Sequence, residues 1–154
     1  MRTLGVMLLA TAVACGGPSG PDESEVTLKT SANSYSWNAP GGFSATLVNT
    51  SGQRLYSNVG DGFGGSVQQT LFVAQGTDAA FEREIVAGTW APVAAGILIE
   101  GSRIVELQAG GRFTLTGIPT DPVDGTYRVR FRYFSSPDRS GPASEVLSNT
   151  FTFR

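Results

Sequence analysis

Tyr127-Arg128-Val129-Arg130-Phe131-Arg132-Tyr133 alternates an apolar or aromatic side chain with an arginine at every step. A period of two places Tyr127, Val129, Phe131 and Tyr133 on one side of an extended chain and the three guanidinium groups on the other, whereas a helix would scatter both sets around its axis. The segment therefore predicts a β-strand with one buried and one solvated face. Similar runs flank it along the chain. Val26 to Thr30, Phe43 to Val48, Ser66 to Val73 and Arg103 to Leu107 are rich in β-branched and aromatic residues, and Phe113 to Thr116 and Thr150 to Phe153 alternate cleanly. Between them stand Ala39-Pro40-Gly41-Gly42, Asn49-Thr50-Ser51-Gly52, Gly60 to Gly65, Ala109-Gly110-Gly111 and Asp121 to Gly125, each with the residues that turns require.

One stretch admits a second reading. In Thr77 to Ala87, Asp78 is placed to cap a helix and Phe81 and Ile85 are four apart, but Glu82 and Glu84 also alternate with Phe81, Arg83 and Ile85, and Ala87-Gly88-Thr89 leads on into Trp90. A strand and hairpin is the better description. Turn signals at intervals of roughly eight to twelve residues then describe an all-β, antiparallel sandwich of about 8–10 short strands. Its expected core is Trp37, Phe43, Leu47, Leu71, Val73, Trp90, Ile104, Leu107, Leu115, Tyr127, Val129, Phe131, Phe151 and Phe153.

Composition bounds the chemistry. Among 154 residues there is no histidine, one cysteine, 20 glycines and 8 prolines, and the formal net charge is −2. Ser-His-Asp and Cys-His catalysis, an internal disulfide and a cysteine/histidine zinc site are excluded, and the chain lacks the positive field that nucleic acid demands.

Asp124-Gly125-Thr126-Tyr127 places a glycine two residues before the tyrosine that opens the alternating strand. This resembles the tyrosine corner of immunoglobulin-like sandwiches, whose hydroxyl ties back to upstream backbone. Phe43 to Ser51, ending in Asn-x-Ser, Gly88-Thr89-Trp90 in a mid-chain hairpin, and the terminal Val146 to Phe153 are similar to elements of the immunoglobulin-like (fibronectin-III-like) domains of bacterial surface lipoproteins. The resemblance covers most of residues 25–154 and implies an immunoglobulin-like β-sandwich with Tyr127 in a structural role. The immunoglobulin cysteine pair is missing.

At the N-terminus, Arg2 precedes an uninterrupted apolar or small stretch from Leu4 to Ala14. As a helix it spans roughly 16 Å, about half of a ~30 Å hydrocarbon core, so it reads as a signal-peptide core, residues 1–14, and not as a span. Ala12-Val13-Ala14-Cys15 resembles a bacterial lipobox, which implies cleavage before Cys15 and lipidation of its thiol; Ala-x-Ala also suits ordinary secretion. Gly16 to Ser24 reads as a flexible tether reaching roughly 15–18 Å, so that residues 15–24 link the membrane to a domain over 25–154. The expected location is the outer membrane or cell surface, with a secreted or periplasmic protein as the alternative, and the domain is expected to be a monomer.

Few residues carry candidate chemistry. Arg128, Arg130 and Arg132 form a ladder at ~7 Å spacing suited to an acidic polysaccharide or phosphates, against the plainer reading of a solvated face paired with glutamates. Asp61 and Phe63 mark a glycine-rich candidate loop. Asp61, Asp121 and Asp124 lack the Asp-x-Asp clustering that calcium favours, so no metal or cofactor is expected. Glu82 and Glu84 share a strand face without any further catalytic constellation, so no enzymatic activity is expected. The resulting expectation is a non-catalytic, lipid-anchored binding or structural module of the bacterial cell envelope with a protein or glycan partner. The alternative is a protease inhibitor or other protein-binding lipoprotein that presents Val59 to Gly65 or Pro119 to Asp124.

Overall fold

The computed structural model describes residues 26–38, 42–61, 70–95, 101–121 and 123–154. They form twelve strands and, among the described residues, no helix: β1 (Val26–Thr30), β2 (Ser34–Tyr35), β3 (Phe43–Asn49), β4 (Leu55–Asp61), β5 (Thr70–Phe72), β6 (Ala79–Val86), β7 (Thr89–Val93), β8 (Gly101–Leu107), β9 (Arg112–Gly117), β10 (Gly125–Tyr133), β11 (Ser144–Leu147) and β12 (Phe151–Phe153). One sheet runs β1-β3-β9-β5-β4-β8; the other runs β2-β12-β10-β6-β7, with β11 also paired to β10. The architecture is a β-sandwich.

The alternating strand that opened the sequence reading is β10, and its inward residues Tyr127, Val129, Phe131 and Tyr133 are all fully buried. Phe43 of the first sheet meets Phe81 and Phe151 of the second at ring-centroid distances of 5.3 and 4.8 Å, so an aromatic cluster joins the two layers. Each such ring, fully buried, contributes on the order of 1.5–3 kcal/mol. Thr77 to Ala87 resolves as the strand β6 and the start of its hairpin to β7. Gly88, at φ 79°, closes that turn, and its N–H donates to Glu84 Oε1 at 2.8 Å.

Five expectations need correction. The sheets are mixed, because β5 lies parallel to β9 and β2 parallel to β12. Turn spacing reports on neighbours along the chain, and these partners are remote from one another, so no turn between them constrains their direction. The strands number twelve among the described residues, more than the eight to ten expected, and β2 and β4 are the two that lie outside the runs read as strands.

Ile104 is 51% exposed, while Val105 and Leu107 point inward. Positions 104 and 107 have opposite parity in a strand, so both could not join one core. Trp90 lies outside the core as well, beneath the Arg128 guanidinium, whose carbon stands 4.2 Å from the ring centroid. Finally, Val146 to Phe153 is two strands, since β11 and β12 meet β10 in registers that differ by one residue. The slip at Ser148 to Thr150 leaves Val146 packed on the core and Leu147 exposed while Phe151 returns inward.

Candidate functional site

The outer face of β10 carries Arg128, Arg130 and Arg132, as the alternation required. Glu82 of β6 sits opposite Arg128 in register and is shared, with its Oε2 accepting from Arg128 Nε at 2.7 Å and its Oε1 2.9 Å from Arg130 Nε. On the other flank, Glu145 of β11 lies 3.0 Å from Arg130 Nη1 and 3.4 Å from Arg132 Nε. The ladder is thus Arg128-Glu82-Arg130-Glu145-Arg132, with Trp90 closing one end. Each inner arginine is already matched by carboxylates of this chain, and a cross-strand network of this kind stiffens the sheet while leaving little charge for a partner.

Tyr127 begins the same strand. Its Oη donates to the Val123 carbonyl at 2.5 Å, tying the β9–β10 connection onto the sandwich. Burial raises the Tyr127 pKa above its ordinary value, an effect partly offset by the Arg83 guanidinium beside the hydroxyl. Trp37 stacks on Phe153 at 4.3 Å and donates from Nε1 to Asp124 Oδ1 at 3.0 Å, so Asp124 is committed to the corner. Among the described residues no three acidic side chains gather as they would around a metal ion.

Residue-by-residue reading missed a pair between a buried aspartate and a partly buried arginine. Asp78, just before β6, accepts the Asn58 N–H at 2.7 Å on Oδ2 and Arg139 Nη2 at 2.8 Å on Oδ1. Its backbone bonds both β4, through Asn58, and β10, through Arg132. Arg139 adopts φ 58°, rare for a residue with a Cβ, and lays its guanidinium 4.7 Å from the Phe134 ring centroid. The β10–β11 loop is thereby clamped at its middle. At the neighbouring position Asp138 Oδ1 accepts from Ser136 Oγ, Ser140 N and Ser140 Oγ at 2.8, 3.2 and 2.9 Å, which lowers the Asp138 pKa. The only sequence signal for this clamp was a polar loop containing two prolines.

Asn49-Thr50-Ser51 has the pattern of an N-glycosylation acceptor. The Asn49 side chain is instead fully buried and bonded to backbone on two neighbouring turns. Cys15, Phe63 and the side chain of Asp61 lie outside the described residues, as do the rest of residues 1–25 and most of the glycine-rich stretch from Gly60 to Gly65. No family model matches the chain, and no curated protein matches it.

Proposed function

We propose that this chain is a non-catalytic, lipid-anchored binding module of a bacterial cell envelope. Residues 1–14 direct export, Cys15 receives the acyl anchor, residues 16–24 give reach, and an immunoglobulin-like domain meets the partner. The observation that carries the reading is the position of the chain's one cysteine, immediately after Ala12-Val13-Ala14 at the end of an eleven-residue apolar stretch. More than one acyl chain, at ~0.8 kcal/mol per buried CH₂, suffices for stable anchoring. The domain itself supports a binding role: its charged side chains are arranged on exposed sheet faces and in a clamped loop. Mass spectrometry of membrane-extracted protein tests the anchor. A new N-terminus at Cys15 bearing a diacylglyceryl thioether is expected; an unmodified Cys15 overturns it.

The clamped β10–β11 loop favours a second reading, recognition of a protein, since a loop ordered in advance loses less entropy on binding. An inhibition screen against endogenous and secreted proteases separates this reading from the first.

A further inference from the structure

The two outer faces of the sandwich differ in charge balance. On the second sheet, Glu82 and Glu145 match the arginine ladder. On the first, alternation along β1, β3, β9 and β5 sends outward Thr27 and Lys29, Ser44, Thr46 and Val48, Arg112, Thr114 and Thr116, and Thr70 and Phe72. None of these four strands contains an aspartate or glutamate. Among the described residues, Lys29 and Arg112 have no carboxylate within ion-pair distance, and Glu106 of β8 is engaged by Arg54 at 3.5 Å. An acidic chain has therefore kept the β1-β3-β9-β5 part of this face free of acids, while Glu106 and Arg112 line a separate recess of 340 Å³.

Register brings the two cations together. Thr27, Val48 and Arg112 form one cross-strand row; Lys29, Thr46 and Thr114 form the next. Lys29 and Arg112 are thus diagonal across β3, on strands two spacings of ~4.8 Å apart, and their long side chains wall a recess of 290 Å³ whose lining includes Thr27, Thr46 and Val48. Cations at the rim and threonine hydroxyls on the floor make a shallow site for a ligand that is both hydroxylated and anionic.

We infer that the outer face of the β1-β3-β9 strands binds an anionic polysaccharide, with carboxylate or sulfate groups held by Lys29 and Arg112 and sugar hydroxyls by the threonines. This rests on the proposed binding role and names its ligand class. A guanidinium grips a carboxylate or sulfate through two parallel hydrogen bonds, and threonine both donates to and accepts from a sugar hydroxyl. The recess approaches the lower end of ligand-site volumes, which suits one sugar unit at a time of a repeating polymer. Other occupants fit less well. Lipid-headgroup surfaces use clusters of roughly four to eight cations, and protein hot spots centre on aromatic anchors such as tryptophan and tyrosine, which the recess lacks.

The test is titration calorimetry of the detergent-solubilised full-length protein with polygalacturonate and dextran sulfate as polyanions and dextran as the neutral control. Both polyanions are expected to bind and dextran is not. Affinity is expected to fall when salt rises from about 0.01 M to about 0.1 M, which shortens the screening length from ~30 to ~10 Å. Lys29→Gln/Arg112→Gln is expected to weaken binding at least about tenfold without altering the melting temperature, because both side chains are exposed, while Arg132→Gln on the opposite face leaves it unchanged. Equal binding of dextran, no binding of either polyanion, or wild-type affinity in the folded double variant overturns the inference, and so does a loss confined to Arg132→Gln. The mass of the same purified protein reports the acyl anchor separately, so failure of the ligand assignment and failure of the anchor are distinguishable.

Discussion

Arg139 and Asp78 are 61 residues apart in the chain and 2.8 Å apart in space, and the arginine that makes this pair adopts φ 58°. The Asp78 side chain is 4% exposed, so removing the guanidinium leaves a buried carboxylate with the Asn58 N–H as its remaining partner. Arg139→Ala is expected to cost about 2–3 kcal/mol, below the full value for a buried pair because Arg139 is itself partly solvated. Arg139→Gly loses the same pair but tolerates the left-handed backbone, and it is expected to be about 0.5–1 kcal/mol less destabilised than Arg139→Ala. Urea unfolding of both variants checks the order; alanine at or above glycine would show that the backbone conformation stores no strain.

Tyr127 gives a prediction with a pH signature. Burial is the largest influence on its hydroxyl and raises the pKa above the ordinary value near 10, with Arg83 opposing and Asp124 and Asp121 adding to the rise. The folded state therefore holds this proton more tightly than the unfolded chain. Its contribution to stability is complete below the unfolded pKa and is lost as pH rises through the folded one. Tyr127→Phe is expected to cost about 1 kcal/mol at neutral pH through loss of the bond to the Val123 carbonyl, and to narrow that gap above about pH 10. A neutral-pH loss under about 0.5 kcal/mol would mean that the hydroxyl is not tying the connection down.

Much of the sandwich was legible because a strand's inside and outside alternate with its sequence. The four inward residues of β10 and the β6–β7 hairpin could be read from Tyr127 to Tyr133 and from Glu82 to Trp90 without any knowledge of partners. Ile104 failed for a local reason: in Arg103-Ile104-Val105-Glu106-Leu107 both parities carry an aliphatic residue, and only the register beside β4 in the sheet decides between them. Trp90 failed because a large ring also serves as the lid of a guanidinium on a solvated face. The parallel pairs, the slip between β11 and β12 and the Asp78–Arg139 clamp all depend on residues distant in sequence, where neither propensity nor spacing carries information. The unpaired character of Lys29 and Arg112 became visible only when strand order placed β1, β3, β9 and β5 side by side and showed that no acid joined them.

Glu82 is the pivot of the arginine ladder, buried to 11% side-chain exposure between Arg128 and Arg130. Glu82→Gln preserves its shape but removes the charge that both guanidinium groups share, with an expected loss of about 1–2 kcal/mol once the partial exposure of the arginines is discounted. A double-mutant cycle with Arg128→Gln isolates the pair. Coupling below about 0.3 kcal/mol would reduce the ladder to an ordinary solvated face with no net worth to the fold.

Asn49 ends β3 with every side-chain hydrogen-bonding group engaged. Its Nδ2 donates to the carbonyls of Gln53, Leu107 and Gln108 at 3.0, 2.9 and 3.2 Å, and its Oδ1 accepts from the Ser51 N–H and hydroxyl at 3.1 and 2.6 Å. One amide thus joins the β3–β4 and β8–β9 turns. Asn49→Ala is expected to cost about 2–3 kcal/mol by stranding carbonyls that lose their donor. Asn49→Asp keeps the shape but turns an acceptor toward those same carbonyls, so at neutral pH it is expected to be the worse of the two. Repulsion and burial would raise the new carboxyl's pKa in the folded state, so Asn49→Asp is most stable in acid, where the protonated group can donate once, and loses stability as pH rises through the folded value. Urea midpoints at about pH 4 and about pH 7 separate the cases. An Asn49→Asp protein as stable as the parent at neutral pH would mean that the donor end of the amide is not what holds the two turns together.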